Sequence, residues 1–379
     1  MINFNFTKEC YSCSACANVC PKDAISFDDK LFPKVDTSLC INCGRCEQVC
    51  IKLKQTEYKP ALIRNAQGYV CKNIDDDERL ASSSGGVFIL LAKNILSQGG
   101  YVCGCVYDDN FMPKHIVTND FALVQKMMGS KYVKSDMNRC IREMEFLLKA
   151  GVPVLFTGVP CQTAAVKNCL EKYSDLVIVN IVCHGSIDRD FWKSYLDEER
   201  MQGEIIDVTM RDKSKGWDNY GLKITFQDGK EHITYKNQDG YFLRCFTSGL
   251  FQRERCMKCQ YKGTAIIGDL LLGDGWGMDK VFPNLCDAYG VSSVVILSDR
   301  GKTLMMEINN NLLCEKIDVS KIVVRNRRIV SPAPNTAFRK IFQKKCRTKP
   351  VRIKEFCEEY ANPSFAKKII NKIYSMLIE

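Results

Sequence analysis

Cys10, Cys13, Cys16 and Cys20 stand three, three and four positions apart, and Cys40, Cys43, Cys46 and Cys50 repeat the interval. Thiolates at this spacing suit a cube of iron and sulfide. Its irons lie only a few ångströms apart, so three thiolates must converge from one tight loop. A zinc site would instead use paired C-x2-C knuckles. With only three histidines in the chain (His115, His184 and His232), mixed Cys/His zinc sites do not dominate. A disulfide framework suits short secreted chains that bury too little surface, and this chain has 379 residues.

The first run, with Pro21 after its last cysteine, is the C-x2-C-x2-C-x3-C-P pattern of bacterial ferredoxins. In two-cluster ferredoxins the fourth cysteine, expected to begin the following helix, serves the other cluster. Cys10, Cys13, Cys16 and Cys50 are therefore expected to hold one [4Fe–4S] cluster, and Cys40, Cys43, Cys46 and Cys20 the second. Ile51 replaces the usual proline of the second run, but proline shapes the turn and binds no iron. Gly44 lets the second loop wrap closely, and Ala24-Ile25 can pack against a cluster.

Four further cysteines form a second constellation. Cys161 follows an apolar run in FTGVPCQ, Cys183 ends another in VCHG, and Cys256 and Cys259 form a C-x2-C pair. Open α/β sheets bind ligands beyond the carboxyl ends of their strands. Together the four could hold a third [4Fe–4S] cluster. Alternatively Cys161, near a helix start, is a reactive thiol, or some of the four simply fill a core. Ser82-Ser83-Ser84-Gly85-Gly86 precedes an apolar helix, where exposed amides favour a phosphate, although a serine N-cap explains the run equally well. Ser130, Lys131 and Tyr132, after Met128-Gly129, offer a hydroxyl, a cation and a ring suited to a flavin nucleotide. Gly268-Asp269 and Gly273–Gly277 read as a turn region facing a cofactor or bending the chain. There is no G-x-G-x-x-G, P-loop or H-E-x-x-H pattern.

These residues need a scaffold. Residues 1–55 form a cysteine-rich module and residues 56–68 a linker. Beyond it strands and helices alternate: helix at Val87–Leu96, strand at Tyr101–Val106, helix at Arg139–Lys149, strand at Val152–Phe156, helix at Thr163–Tyr173 and strand at Leu176–Cys183. That order predicts a partly parallel sheet. Residues 205–235 alternate as antiparallel strands do. Pro332 and Pro334 break the pattern before a tail that carries 15 Lys/Arg against 4 Glu from Lys321 onward, so the net charge of +10 resides there. In the tail Phe365, Ile369, Ile373 and Leu377 share a helical face. Its expected partners are an anionic membrane surface, touched peripherally, an acidic redox protein or an acidic substrate. Nucleic acid is not expected, for the basic patch lacks a binding motif. With no spanning run and no secretory signal, the expectation is a soluble cytoplasmic protein.

The segments SSSGG (82–86), GSKYVKS (129–135), FTGVPCQ (156–162), VCHG (182–185), CMKC (256–259) and GDLLLGDGWG (268–277) together resemble the coenzyme F420 hydrogenase/dehydrogenase β-subunit family. The resemblance covers roughly residues 60–335, with the ferredoxin module in front. It implies an α+β protein: a bacterial-type two-[4Fe–4S] ferredoxin module (1–55), a mixed α/β FAD-binding domain (60–335) and a basic helical tail (336–379). It also implies FAD near Ser83, Ser84, Gly85, Gly86, Ser130, Lys131 and Tyr132, with a further cluster nearby whose ligands vary in the family and can include an aspartate. No catalytic residue is assigned. The implied activity passes electrons between clusters, FAD and a hydride donor or acceptor, F420 in archaeal members and other molecules elsewhere. The alternative is an electron-transfer subunit without its own substrate, serving a ferredoxin or partner enzyme, some relatives lying near polysaccharide genes.

Overall fold

The two cysteine runs fold alike because their backbones make the same unusual turns. Ser12 and Asn42 adopt positive φ (48° and 52°), as do Ser14 and Gly44 (60° and 75°), at equivalent places in the repeat. Each pair of left-handed residues reverses the chain between successive cysteines, and a one-turn helix follows: α1 (Ala15–Asn18) and α2 (Arg45–Gln48). Cys20 and Cys50 lie after these helices, not at the start of following ones, because the chain turns again beyond Val19 and Val49. Strands Ile25–Phe27 and Pro33–Val35 pair antiparallel, and Ile2, Ala17 and Ile25 form a small core with Cys16, Cys20, Cys46 and Cys50 against it.

The computed structural model describes residues 2–53, 61–335, 339 and 352–361. They divide into two compact units. The first comprises residues 1–131, 135–183 and 260–331; the second comprises 132–134, 184–259 and 332–379. The chain thus enters the second unit more than once, and the units are not successive stretches of sequence.

The first unit is a mixed sheet of eight strands: β1 (Gln67–Asn73), β2 (Tyr101–Tyr107), β3 (Pro113–Thr118), β4 (Val154–Gly158), β5 (Leu176–Ile181), β6 (Leu270–Asp274), β7 (Ser292–Ile296) and β8 (Leu312–Ile317). Their order is β8-β1-β7-β6-β5-β4-β2-β3. The central β2, β4, β5 and β6 run parallel, and the remaining pairings are antiparallel. Alternation places Cys71, Leu270, Leu272 and Val294 on one face and Val70, Leu271 and Val295 on the other, each face with its own core. Helix α3 (Val87–Ser97) supplies Ile89, Leu91 and Ile95 to the first of these cores. Helices α4 (Cys140–Lys149) and α5 (Pro160–Leu170) precede and follow β4. The parallel centre arises because each of these helices returns the chain to the same sheet end.

Several expectations shift. Residues 61–68 are not linker: Ala61–Leu62 pairs with Ala265–Ile266, a 3₁₀ turn covers Ile63–Asn65, and β1 begins at Gln67. The region 268–277 is not simply a turn either, since β6 occupies Leu270–Asp274 in mid-sheet. There Gly273 is required because a Cβ would lie 2.7 Å from Val182 Cγ2. Helix α5 starts at Pro160 rather than Thr163, with proline at its first position, where its missing N–H costs nothing. The expected tail face of Phe365, Ile369, Ile373 and Leu377 lies outside the described residues.

In the second unit, strands Ile205–Asp212, Gly221–Phe226 and Glu231–Tyr235 form an antiparallel sheet, as the alternation predicts. Helices Arg189–Arg200 and Tyr241–Thr247 bury Trp192, Tyr195, Phe242 and Phe246, and Ile353–Ala361 packs with both.

Candidate metal centre

The first quartet gathers Cys10, Cys13, Cys16 and Cys50. Burial pushes the Cys13 thiol well up, and the nearby Cys16, Cys10 and Cys50 raise it further. Burial likewise raises Cys16, followed by Cys10, Cys50 and Cys46, so the second quartet lies within electrostatic reach. Thiolates packed this way cannot all carry charge unless a cation joins them. The backbone supplies part of the compensation: the N–H of Ser12 donates to Cys10 Sγ at 3.2 Å, and the N–H groups of Ala15 and Ala17 favour thiolate at Cys13 and Cys16. Among the described residues no three Cys, His, Asp or Glu side chains close on a single ion. A cubane needs no such closure, because each of its irons takes one thiolate.

Cys20, Cys40, Cys43 and Cys46 line one pocket, together with Pro21, Ala24, Ile25, Val35 and Ile41. Its wall is apolar apart from Lys22, Asn42 and Arg45. This donor set, four soft sulfurs and no carboxylate, fits an iron–sulfur cube. The quartets differ in environment. Cys13 is buried with Tyr11, Ser12 and Ser14, whereas Cys43 is exposed beside Leu39 and Ile41, which are 50% and 57% exposed.

Arg142 of α4 anchors the module within the first unit. Its guanidinium donates to the carbonyls of Ala17 (3.1 Å), Asn18 and Cys20, and pairs with Asp23 at 2.8 Å. Asn18 answers by accepting the Arg142 N–H at 3.2 Å and donating to Asn138 O at 2.8 Å. On the other side the phenol of Tyr261 donates to Ile51 O at 2.7 Å, and Gln260 N–H donates to the phenol of Tyr11. Sequence reasoning missed these residues. Arg142 lies about 120 positions from its partners, and nothing in its own helix distinguishes it from a surface cation.

The remaining expected residues are placed as follows. Cys161 lies in the first turn of α5 and Cys183 just beyond β5. Gly158 of β4 is in register with Asn180 of β5, so each cysteine lies three residues past a paired position on adjacent parallel strands. Cys256 and Cys259 belong to the second unit, where the N–H of Ser186 donates to Cys256 Sγ at 3.5 Å. In the serine–glycine segment Ser83 Oγ lies 2.7 Å from Ser130 Oγ, and Ser84 donates to Val291 O at 2.7 Å. Gly85 is demanded by packing, since a Cβ there would meet Cys71 O at 2.3 Å; Gly86 takes φ +76° to open α3. Lys131 turns back to donate to the carbonyls of Met128 (2.9 Å) and Gly129 (3.4 Å). Tyr132 lies in the second unit, its ring stacked 4.5 Å from Phe246 and its hydroxyl accepting from Arg211 at 3.2 Å.

Two thiol quartets on a duplicated loop, carried by a mixed α/β protein, define the class: an iron–sulfur electron-transfer protein. Comparison with known proteins makes it narrower. Residues 9–52 match the 4Fe–4S dicluster domain, and residues 152–322 match the C terminus of the coenzyme F420 hydrogenase/dehydrogenase β subunit. Residues 152–322 therefore resemble that β-subunit family, and the dicluster domain lies ahead of them. The chain is 23% identical over 288 residues to a subunit of the F420H2 dehydrogenase of Methanosarcina mazei, covering 70% of this chain and 77% of that one. It is 26% identical over 156 residues to the coenzyme F420-dependent sulfite reductase of Methanocaldococcus jannaschii, covering 40% of this chain and 24% of that protein. A chain of the F420-reducing [NiFe] hydrogenase complex of Methanosarcina barkeri aligns with a TM-score of 0.48 at 16% identity, covering 77% of this chain and 91% of that one. Among the described residues no helix is long and apolar enough to cross a membrane.

Proposed function

We propose that this chain is an FAD- and [4Fe–4S]-dependent oxidoreductase that exchanges electrons between a one-electron partner and a small hydride donor or acceptor such as coenzyme F420. The observation that carries the reading is the pair of thiol quartets in unlike surroundings, one around the buried Cys13 and one beside the exposed Cys43. Cys10, Cys13, Cys16 and Cys50 hold the inner cluster, and Cys20, Cys40, Cys43 and Cys46 the outer one. A bound flavin supplies hydride exchange and iron–sulfur clusters supply single-electron exchange.

The chain's own residues keep those groups in working order. Backbone N–H groups directed at Cys10, Cys13 and Cys16 stabilise sulfur charge. Ala24, Ile25 and Val35 keep water from the outer site, and Arg142 fixes the loop that ends in Cys20. Ser83 and Ser130, hydroxyl to hydroxyl, are proposed to bind flavin phosphate, with Gly85, Gly86, Ser84, Lys131 and Tyr132 shaping the surrounding loops. Cys161, Cys183, Cys256 and Cys259 are proposed as ligands of a third cluster.

The test is reconstitution without oxygen. Protein supplied with iron, sulfide and FAD should retain FAD through gel filtration and oxidise reduced F420 or another hydride donor with a one-electron dye as acceptor. Iron retention with no flavin retention defeats the proposal. A second reading has its own support. Leu39 and Ile41, exposed around the outer quartet, suit contact with another redox protein, so the chain could act as an electron-transfer subunit for a cytoplasmic partner enzyme. In that case reduction by a ferredoxin proceeds while no hydride donor is oxidised.

A further inference from the structure

The pairing of β8 on β1 sets Cys314 opposite Cys71, and their Sγ atoms lie 2.6 Å apart. Opposed residues in an antiparallel pair have Cα atoms about 4.5–5.5 Å apart, within the span a disulfide bridges. Cys71 is fully buried in the sheet core, while Cys314 is half-buried on β8, the edge strand. Neither belongs to the N-terminal repeat or to the four cysteines proposed for a third cluster. No reading of the electron-transfer chemistry uses them.

We propose that Cys71 and Cys314 are a redox-responsive dithiol, a reversible modification site that a low-molecular-weight disulfide converts to a cross-strand disulfide. Cys314 is the attacking thiol because it is the one solvent reaches. Contact with Cys71 lowers the Cys314 thiol, while the same contact and burial raise Cys71, so the outer sulfur is the one that ionises more readily. Cys314 Sγ attacks one sulfur of the small disulfide; that S–S bond breaks, and one small thiolate leaves and takes up a proton. Cys71 then gives up its proton and attacks Cys314 Sγ, releasing the second small thiol. Two protein thiols are oxidised by two electrons, and one disulfide is reduced to two thiols.

The site is coupled to a neighbouring segment. The backbone of β1 touches the serine–glycine loop at this point: a Cβ on Gly85 would lie 2.3 Å from Cys71 O, and Asn73 N–H donates to Gly85 O at 2.7 Å. A bond at Cys71 therefore fastens the edge strand to the strand that carries that loop.

The test uses the full-length holoprotein under strict anoxia, treated with oxidised glutathione, so that oxygen does not attack iron–sulfur groups. Remaining thiols are alkylated, and the digest is analysed by mass spectrometry. The expected product is a peptide linking Cys71 to Cys314, lighter by two hydrogens than the separate pair and removed by dithiothreitol, with the iron content unchanged. Cys71→Ser should trap Cys314 as a mixed disulfide with glutathione, and Cys314→Ser should leave Cys71 unmodified. Recovery of both cysteines in alkylated form from the treated unsubstituted protein overturns the proposal. So does glutathione on Cys314 with no cross-link in that protein, a result that needs no variant to fold.

Discussion

The guanidinium of Arg142 donates to the backbone carbonyl of Cys20, so a helix of the large sheet holds the last thiol of the first cysteine run. The same side chain reaches Ala17 O, Asn18 O and the carboxylate of Asp23. Asp23 is held below the usual carboxylate range by Arg139 first and then Arg142, but it is exposed, so the carbonyl bonds matter more than the ion pair.

Arg142→Ala should therefore loosen the cysteine module. Losing a charged donor from several carbonyls is expected to cost about 1–3 kcal/mol. Anoxic thermal melts should show a lower midpoint, and a chelator should strip iron faster. Arg142→Lys keeps charge but not the planar fork, and should recover only part of the loss. An unchanged rate of iron loss in the alanine variant would contradict this role.

Two glycine substitutions should differ in size. At Gly44 a Cβ meets nothing within 4 Å, and only the left-handed backbone (φ +75°) resists it. Gly44→Ala should cost about 1 kcal/mol. At Gly85 the added carbon overlaps Cys71 O and Ser292 N, at 2.3 and 2.6 Å. That substitution should cost about 3 kcal/mol or more, since backbone atoms in a sheet do not yield as a side chain does. Urea unfolding of both variants checks the order.

Glu199 makes the second unit acid-sensitive. Its side chain is fully buried, and burial alone would raise its pKa. Hydrogen bonds from His232 (2.9 Å) and Lys354 (2.9 Å) outweigh that and hold it below the usual range. A carboxyl depressed in the folded state contributes stability above its unfolded pKa, about 4.3, and loses it as pH falls through the folded value. Fluorescence of the buried Trp192, in the same helix, should report a fall in stability below about pH 4.3. Glu199→Gln should remove that dependence and cost about 3 kcal/mol at neutral pH, because Lys354 loses its buried counter-charge. A variant with the original acid profile would rule this out.

If the serine–glycine loop binds flavin phosphate as proposed, Ser83→Ala should weaken FAD retention by roughly tenfold, one hydrogen bond's worth, and leave iron content alone. Equilibrium dialysis of FAD against both proteins measures it. Equal retention would move the flavin site elsewhere.

What could be read from the chain follows from how far apart the interacting residues are. The cysteine runs are local, so their spacing alone leads to the grouping of thiols. The alternation over residues 205–235 is also local, and it gives the antiparallel sheet. The strand at Ala61–Leu62 was hidden because its partner, Ala265–Ile266, lies some 200 residues away. Two glycines have packing reasons that the chain alone does not reveal: at Gly273 Val182 crowds a central strand, and at Gly85 the sheet backbone is in contact. Both look like cofactor loops in sequence, since small residues permit close approach whatever the neighbour is. Arg142, Tyr261 and the Cys71–Cys314 pair were invisible for the same non-local reason.

The most direct test is analysis of iron and acid-labile sulfide in anoxically purified protein. The account predicts about eight of each per chain from the N-terminal repeat, rising to about twelve if the second cysteine constellation also holds a cluster. A brown protein whose Cys13→Ser and Cys43→Ser variants each lose iron would agree. A colourless anoxic preparation with stoichiometric zinc, or with neither iron nor sulfide, would contradict it.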